Sequence, residues 1–233
     1  GKMSDVIWIA SFDIGKKNFA FCIEEIDPEK FSGLCTPVRR YNGDGTPTQG
    51  MEKVLKSVYS NGRIILHKNL DLTGGCDPKA KLDPKTFVNM VEALEMYVKY
   101  WDMCDVFIIE EQMSFGKKMN RMAMKLGQHC YSYFVFKYRG SKCIVEFPAY
   151  HKTVCLGAEK VEGKPYKNGN VRYKTMEKPQ RKKWSVEKAM EILEGRGELE
   201  VLEGLTSFKK RDDLADVLTQ LQAYKVLTYV KID

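Results

Sequence analysis

Two kinds of hydrophobic pattern alternate along this chain of 233 residues. Short runs rich in β-branched and aromatic residues predict strands, and stretches with apolar residues every three or four positions predict helices. The predicted strands cover residues 6–12, 19–23, 63–72, 106–109 and 142–147, and the predicted helices cover 85–101, 121–137, 184–194 and 210–230. The order βββαβαβαα predicts an α/β fold in which a mixed central β-sheet of about five strands is flanked by helices.

The segments between these elements are expected to be mostly loops. Segment 27–61 is rich in Gly, Pro, Thr and Ser, with a short helix expected over 51–58. Asp83 as N-cap and Pro84 at the first helical position mark the start of helix 85–101, and Ser185 is a candidate cap of the helix over 184–194. The remaining connections are a polar loop over 114–120, a loop or hairpin over 158–181 and a linker over 195–208. We therefore predict a single domain over 3–233, with insertions at about 27–61 and 158–181.

Composition narrows the class of protein. Hydrophobic residues make up 43% of the chain and charged residues 30%, as in ordinary globular proteins. No apolar run approaches the roughly 18 residues of a membrane span, and the start lacks a signal-peptide pattern, so we expect an intracellular protein without a membrane partner. The seven cysteines form no CxxC pair, and the three histidines show no metal-binding spacing. Carboxylates are therefore the candidate metal ligands.

The excess of positive charge is concentrated in one segment. The formal net charge is +7, and residues 160–183 contain nine basic and two acidic residues, a local excess equal to that of the whole chain. Tyr166, Tyr173 and Trp184 are interleaved with the basic residues. This combination favours contact with nucleic acid; a solvated loop with an accidental bias is the alternative.

Four carboxylates stand where predicted elements begin or end. Asp13 follows the first strand, and Glu110 follows the strand over 106–109. Asp213 and Asp216 lie three positions apart in the first turn of the last helix, where such residues are neighbours. Because α/β sheets open towards ligands at the ends of their strands, we expect the four side chains to converge.

Two of these positions have a competing neighbour. Glu111 competes with Glu110 because the register could slip by one, and we prefer Glu110 because it follows the apolar run directly. Asp212 competes with Asp213, but only Asp213 is three positions from Asp216. Acidic residues also favour the first turn of any helix, which is the interpretation that needs no metal.

Four carboxylates with almost no histidine suit a hard divalent cation such as Mg²⁺ or Mn²⁺. Two such ions about 4 Å apart can activate a water and stabilise the leaving oxygen in phosphodiester cleavage. Together with the basic segment, the carboxylates predict a metal-dependent nuclease.

The motifs around these carboxylates resemble those of a known family. The sequences DIG at 13–15, ExQ at 110–112 and DxxD at 213–216, in this order, are similar to the RNase H-like (retroviral integrase) superfamily. Three further stretches resemble its RuvC-type Holliday junction resolvases: KLGQ at 125–128, KTVCLG at 152–157 and KWSV at 183–186. The resemblance spans most of residues 6–225 and is closest to the resolvases of poxviruses and other large DNA viruses, with mitochondrial resolvases as cousins.

The resemblance implies roles for individual residues. The ligands of two Mg²⁺ ions per active site, for which Mn²⁺ would substitute, would be Asp13, Glu110, Asp213 and Asp216. Lys152 would be an active-site lysine near the scissile phosphate. Basic contacts to DNA are expected from Lys125, Arg181, Lys182 and Lys183. The enzyme would be a homodimer whose two sites nick opposed strands of a four-way junction in viral DNA recombination or concatemer processing.

The chain departs from the bacterial enzymes in two places that concern substrate contacts. The stretch between Asp13 and Glu110 is longer, and the insert over 158–181 is extra. The leading hypothesis is a Mg²⁺-dependent endodeoxyribonuclease of the crossover junction type. A RuvC-like nuclease for other branched DNA or for RNA is one alternative, and a non-catalytic DNA-binding module is another.

Overall fold

The computed structural model describes residues 2–3, 5–112 and 120–233. Five strands form its central sheet: β1 (Ile7–Asp13), β2 (Phe19–Ile26), β3 (Arg63–Leu70), β4 (Val106–Glu110) and β5 (Cys143–Phe147). Their order is β3-β2-β1-β4-β5. The first three strands pair antiparallel, whereas β1, β4 and β5 run parallel. The predicted α/β fold with a mixed five-stranded sheet is confirmed.

Helices cover both faces of this sheet. They are α1 (Gln49–Ser60), α2 (Pro84–Glu95), α3 (Val98–Met103), α4 (Arg121–Tyr138), α5 (His151–Cys155), α6 (Lys178–Arg196), α7 (Leu199–Ser207) and α8 (Arg211–Tyr229). One face, here called the α8 face, carries α1 and α5 to α8, and the other, the α4 face, carries α2 to α4. Among the described helices, none combines the length and apolar character needed to cross a membrane.

Strand alternation decides which side chains reach the α8 face. Successive side chains on a strand point to opposite faces of the sheet. Phe12 and Ile109 both pack on the α4 face, so Asp13 and Glu110, one position later on each strand, point to the α8 face. The parallel pairing of β1 with β4 places Phe12 opposite Ile109. The two acidic residues are therefore neighbours at one end of the sheet.

In the last helix, α8, burial extends beyond the apolar residues whose spacing predicts the helix. Four polar residues of α8 are buried with that stripe: Thr219, Gln220, Gln222 and Lys225. Lys225 donates to a carboxylate oxygen of Glu24 on β2 at 2.7 Å, and Gln222 donates to the same carboxylate at 2.9 Å. Buried polar groups require such partners. These hydrogen bonds therefore help to fix the position of α8 on the sheet.

The helix predicted over 85–101 is interrupted between α2 and α3. Its start is as predicted, with Asp83 as N-cap and Pro84 in the first turn. The indole N–H of the buried Trp101 donates to the carbonyl of Leu94 at 2.7 Å. In a continuous helix that carbonyl would accept from the amide four positions later. Trp101 thus competes with the helix for Leu94, and the helix breaks there.

The segment predicted as a loop or hairpin over 158–181 contains a short hairpin and the start of a helix. Two short strands, β6 (Val161–Glu162) and β7 (Tyr173–Lys174), form a hairpin, and α6 begins before residue 184. Pro179 lies in the first turn of α6, and Glu177 forms a capping box with Gln180. Proline and a capping box are both start signals for a helix, so the predicted helix start was wrong by several residues.

Two further segments carry more helix than predicted. α1 extends beyond the helix expected over 51–58, and α7 lies within the predicted linker over 195–208. Leu205 of α7 is buried in the core of the α8 face, so this segment belongs to the packed fold. The polar loop predicted over 114–120 lies, except for Asn120, outside the described residues.

Candidate metal centre

Carboxylates converge where the ends of β1 and β4 meet the start of α8. Oxygen atoms of Asp13, Asp213 and Asp216 all lie within 4.8 Å of one another. Glu110 is not part of this three-residue group, but its carboxylate lies near enough to Asp13 to raise the pKa of that residue. Lys152 of α5 lies 3.5 Å from Oδ1 of Asp216. We call the four acidic residues the acidic cluster; the structure brings together all of the predicted catalytic side chains.

Burial raises the pKa values of Asp13, Asp213 and Asp216, and neighbouring carboxylates add to it. Burial is the largest cause for Asp13, and the neighbouring Glu110 and Asp216 raise its pKa further, well above the usual value. Burial also raises the pKa values of Asp213 and Asp216. Ionised carboxylates this close repel each other, and a cation between them would offset that repulsion.

Lys152 supplies positive charge beside the acidic cluster. Its side chain is only 12% exposed. Burial would lower its pKa, but Asp216, Glu110 and Asp13 outweigh burial, so the pKa lies above the usual value for lysine. The side chain is therefore a cation at neutral pH in the metal-free protein.

The donor atoms of the acidic cluster fit a hard divalent cation. Oδ2 of Asp213 is buried and has no hydrogen-bond partner in the described part of the chain. Nζ of Lys210 lies 3.6 Å from this oxygen, beyond hydrogen-bond distance. Leaving a buried acceptor unpaired is costly. Carboxylate oxygens from separate elements are the ligands that Mg²⁺ and Mn²⁺ prefer, so an ion would satisfy this atom.

The geometry separates Glu110 from Glu111. Glu110 points to the α8 face beside Asp13, whereas Glu111 is exposed and its backbone N–H donates to a carbonyl of β5 at 2.9 Å. The side-chain amide of Gln112 donates to the carbonyl of Glu110 at 3.0 Å. A Cβ at Gly127 of α4 would come within 3.2 Å of Gln112, so the small residue allows this close approach.

Asp212 lies outside the group of close oxygen atoms formed by Asp13, Asp213 and Asp216. Its carboxylate lies 3.0 Å from Lys210 and 3.6 Å from Lys182. Burial would raise the pKa of Asp212, but the two lysines outweigh burial and lower it. Lys210 also lies 3.6 Å from Asp213, but of the two aspartates only Asp213 has an oxygen within 4.8 Å of those of Asp13 and Asp216.

Ser185 is a buried partner of Asp216, a role that sequence patterns did not indicate. It lies inside α6 and is 2% exposed, so its predicted role as a cap was wrong. Its Oγ donates to Oδ1 of Asp216 at 2.7 Å and lies 3.2 Å from Oγ1 of Thr219. Thr219 in turn bonds to backbone carbonyls of α8. The only sequence signal is that Ser185 belongs to the KWSV motif.

A cleft of about 360 Å³ opens beside the acidic cluster. Glu110, Lys152 and Asp216 line one side of this α6 cleft, and the basic residues that line it further are Lys178, Arg181 and Lys182. Of the predicted DNA contacts, Arg181 and Lys182 therefore lie at the site. Lys183 is 79% exposed and lies 4.0 Å from Glu187 of its own helix, and Lys125 is exposed on α4. Neither lines the α6 cleft.

Two viral proteins are similar to this chain in sequence. The chain is 33% identical over 237 residues to uncharacterized protein 170L of Invertebrate iridescent virus 6, which covers 97% of this chain and 92% of the relative. It is 30% identical over 226 residues to uncharacterized protein 97L of Invertebrate iridescent virus 3. That alignment covers 93% of this chain and 98% of the relative. No protein-family model matches the chain.

Two solved structures share the fold. The fowlpox virus resolvase, solved with its substrate Holliday junction DNA, aligns with a TM-score of 0.51 and 16% identity over 95% of this chain and 99% of that one. The yeast mitochondrial Holliday junction resolvase aligns with a TM-score of 0.50 and 14% identity. The alignment covers 94% of this chain and 82% of that one. The predicted resemblance is thus confirmed at the level of the fold. The chain belongs to the family of the iridescent virus proteins 170L and 97L, and its fold is that of the RuvC-type Holliday junction resolvases.

Proposed function

We propose that this protein is a metal-dependent endonuclease that resolves four-way (Holliday) DNA junctions. One observation carries the proposal: the acidic cluster, assembled from β1, β4 and α8, lies with Lys152 beside a cleft lined by basic side chains. The shared fold supports it, because the fowlpox virus resolvase was solved with junction DNA. Fold alone does not fix a substrate, so the proposal depends on the site.

The acidic cluster would hold Mg²⁺, with two ions per site and Mn²⁺ as a substitute. When bound, such ions lower the pKa of a water and stabilise charge on a phosphodiester during hydrolysis. The chain's own contribution is to hold the ligands in place. The Ser185 hydroxyl binds one oxygen of Asp216, which leaves the other oxygen for the cluster.

The basic residues would position the substrate and stabilise negative charge. Lys152 remains protonated at neutral pH and lies against Asp216, where it would contact the scissile phosphate as its charge grows in the transition state. Lys178, Arg181 and Lys182 line the same cleft and would hold neighbouring phosphates of the backbone. Phosphate contacts of this kind orient a duplex without reading its sequence.

Resolution of a junction requires two cuts, so we further propose a homodimer with one site on each subunit. The two sites would nick opposed strands symmetrically. Since the sequence relatives are viral proteins, the substrate would be viral DNA during recombination or concatemer processing inside the infected cell. Light scattering of the purified protein would give the expected mass of a dimer.

The test is cleavage of a mobile four-way junction, labelled in turn on each strand, in Mg²⁺ and in EDTA. Paired symmetric nicks that require Mg²⁺ and vanish in Asp13→Asn are expected. Glu111→Gln is the control, because it removes an exposed carboxylate next to Glu110 at the end of β4. Intact junctions, or equal cleavage by Asp13→Asn, would contradict the proposal. Rates on flaps, linear duplex and RNA–DNA hybrids would decide between junctions and other substrates.

A further inference from the structure

A second basic cleft lies on the opposite face of the sheet. Lys16, Lys81 and Arg121 line a cleft of about 630 Å³ at the start of α4, here called the α4 cleft. Lys16 follows closely after Asp13, where β1 leaves the sheet. The α6 cleft adjoins the acidic cluster from the α8 face, and the α4 cleft is lined by Lys16, three positions after Asp13.

The acidic residues near the α4 cleft are occupied by backbone amides. Asp71 accepts from the amide of Thr73 at 2.8 Å, Asp77 from that of Lys79 at 2.9 Å, and Asp83 from that of Lys85 at 2.9 Å. Carboxylates that cap loops and helices in this way are held where their own turns need them.

In the described part of the chain, the cations of the α4 cleft form no ion pair. In the residues that the structure describes, Lys16, Lys81 and Arg121 each lie more than 4.0 Å from every carboxylate oxygen. Lys81 and Arg121 are exposed. A concave surface with unpaired cations attracts a polyanion, and phosphates spaced along a nucleic-acid backbone match such a row of charges.

We propose that the α4 cleft holds the phosphate backbone of a second arm of the branched DNA substrate. This proposal rests on the proposed function, since the arm belongs to that substrate. The two clefts lie on opposite faces of one sheet, so segments held in them leave the acidic cluster in different directions. Arms that diverge from a branch point meet this condition, whereas a straight duplex does not.

The experiment compares two triple variants of the full-length protein. One variant removes the three positive charges that line the α4 cleft: Lys16→Gln/Lys81→Gln/Arg121→Gln. Its matched control carries the same loss of three positive charges at exposed positions elsewhere: Lys30→Gln/Lys53→Gln/Lys99→Gln. Equilibrium binding to a four-way junction and to a linear duplex is measured without divalent metal over a range of salt concentrations, and thermal unfolding checks that both variants fold.

The α4-cleft variant should bind the junction roughly tenfold more weakly or worse. The slope of log affinity against log salt concentration should be smaller in magnitude by about 2 to 3, because each lost phosphate contact contributes about 0.9. Its loss on linear duplex should be smaller, and the control variant should keep the wild-type slope. An unchanged slope, or an equal loss on both substrates, would overturn the second-arm assignment. Cleavage by the wild-type protein is scored separately: a protein that binds junctions through this cleft but never cuts them contradicts the proposed function alone.

Discussion

Ser185 on α6 donates a hydrogen bond of 2.7 Å to Oδ1 of Asp216 on α8, inside the core and directly behind the acidic cluster. Groups that orient metal ligands from behind typically contribute 10- to 100-fold to metal affinity. We therefore expect Ser185→Ala to weaken Mn²⁺ binding by about tenfold or more, measured by calorimetry. Cleavage should recover at high Mn²⁺ concentration, since the ligands themselves remain.

A serine on the surface provides the control for that change. Ser57 is exposed on α1 and bonds only to the carbonyl of Lys53, so Ser57→Ala should leave Mn²⁺ affinity unchanged. Junction binding without metal should be the same for Ser185→Ala, Ser57→Ala and wild type. Wild-type Mn²⁺ affinity in a folded Ser185→Ala variant would show that Ser185 only packs.

Asp13 should destabilise the metal-free protein at neutral pH. Its pKa is raised well above the usual value, first by burial and then by Glu110 and Asp216. A carboxyl whose pKa is higher in the folded than in the unfolded protein costs stability once the pH exceeds the unfolded value of about 3.9, and the cost is complete above the folded pKa. Asp13→Asn should therefore be more stable than wild type at neutral pH by about 1 kcal/mol or more, and the difference should shrink towards pH 4 in urea denaturation.

Added Mn²⁺ should reverse that order. A ligand that binds only the folded protein stabilises it in proportion to the logarithm of its concentration. Wild type should gain melting temperature with Mn²⁺, and Asp13→Asn should gain little because it lacks one ligand. Equal gains in the two proteins would mean that Asp13 does not bind the ion.

Glu110 and Glu111 should differ sharply in activity. Glu110 lies in the acidic cluster, and Glu111 is exposed at the end of β4. Glu110→Gln should lower junction cleavage by roughly a hundredfold or more, the size typical of losing an electrostatic group at a transition state. Glu111→Gln should stay within about twofold, as expected for a surface substitution. The reverse order in single-turnover assays would show that Glu111 is the ligand.

The sequence predicted the acidic cluster because each member follows a recognisable local signal. Asp13 and Glu110 end apolar runs, and Asp213 is separated from Asp216 by a helical spacing. The sequence favoured Glu110 over Glu111 because Glu110 follows the apolar run directly, but that local pattern does not show which of the two lies beside Asp13. The choice depends on the register between β1 and β4, which pairs Phe12 with Ile109 across a long separation in sequence.

The sequence patterns did not predict the side-chain contacts between helices. Ser185 was expected to cap a helix because serine favours that position, and nothing in its own segment indicated that α6 packs against α8 beside Asp216. The break after α2 was missed for a similar reason, because a tryptophan side chain competes for the carbonyl of Leu94. In both cases a side chain made a specific tertiary hydrogen bond where propensity predicted a local role.

Lys152 should stabilise negative charge in the transition state more than it strengthens binding of the junction. It lies 3.5 Å from Asp216 and its pKa is raised, because the surrounding carboxylates outweigh burial. Lys152→Met keeps most of the side-chain volume and should lower single-turnover cleavage roughly a hundredfold, with junction affinity changed only a few-fold. A parallel loss of affinity and rate would assign Lys152 to substrate binding instead.

A buried ionic network fixes the helix that carries Asp213 and Asp216. Glu24 of β2 accepts from Lys225 of α8 at 2.7 Å and from Arg196 of α6 at 2.8 Å. Removing one partner of a buried ion pair leaves an uncompensated charge and typically costs about 3 to 5 kcal/mol. We expect a loss of this size for Glu24→Gln in urea denaturation at neutral pH.

The pH dependence and a neighbouring control make this expectation specific. Burial would raise the pKa of Glu24, but Arg196 and Lys225 outweigh burial and lower it. A lowered pKa gives stability that is present above the unfolded value of about 4.3 and is lost as the pH falls through the folded pKa, so the effect of Glu24→Gln should shrink below about pH 4. Glu25→Gln removes an adjacent, partly exposed carboxylate that pairs with Arg63 at 3.2 Å, and such pairs contribute about 1 kcal/mol or less. Equal losses for Glu24→Gln and Glu25→Gln would show that the buried network does not hold α8 in place.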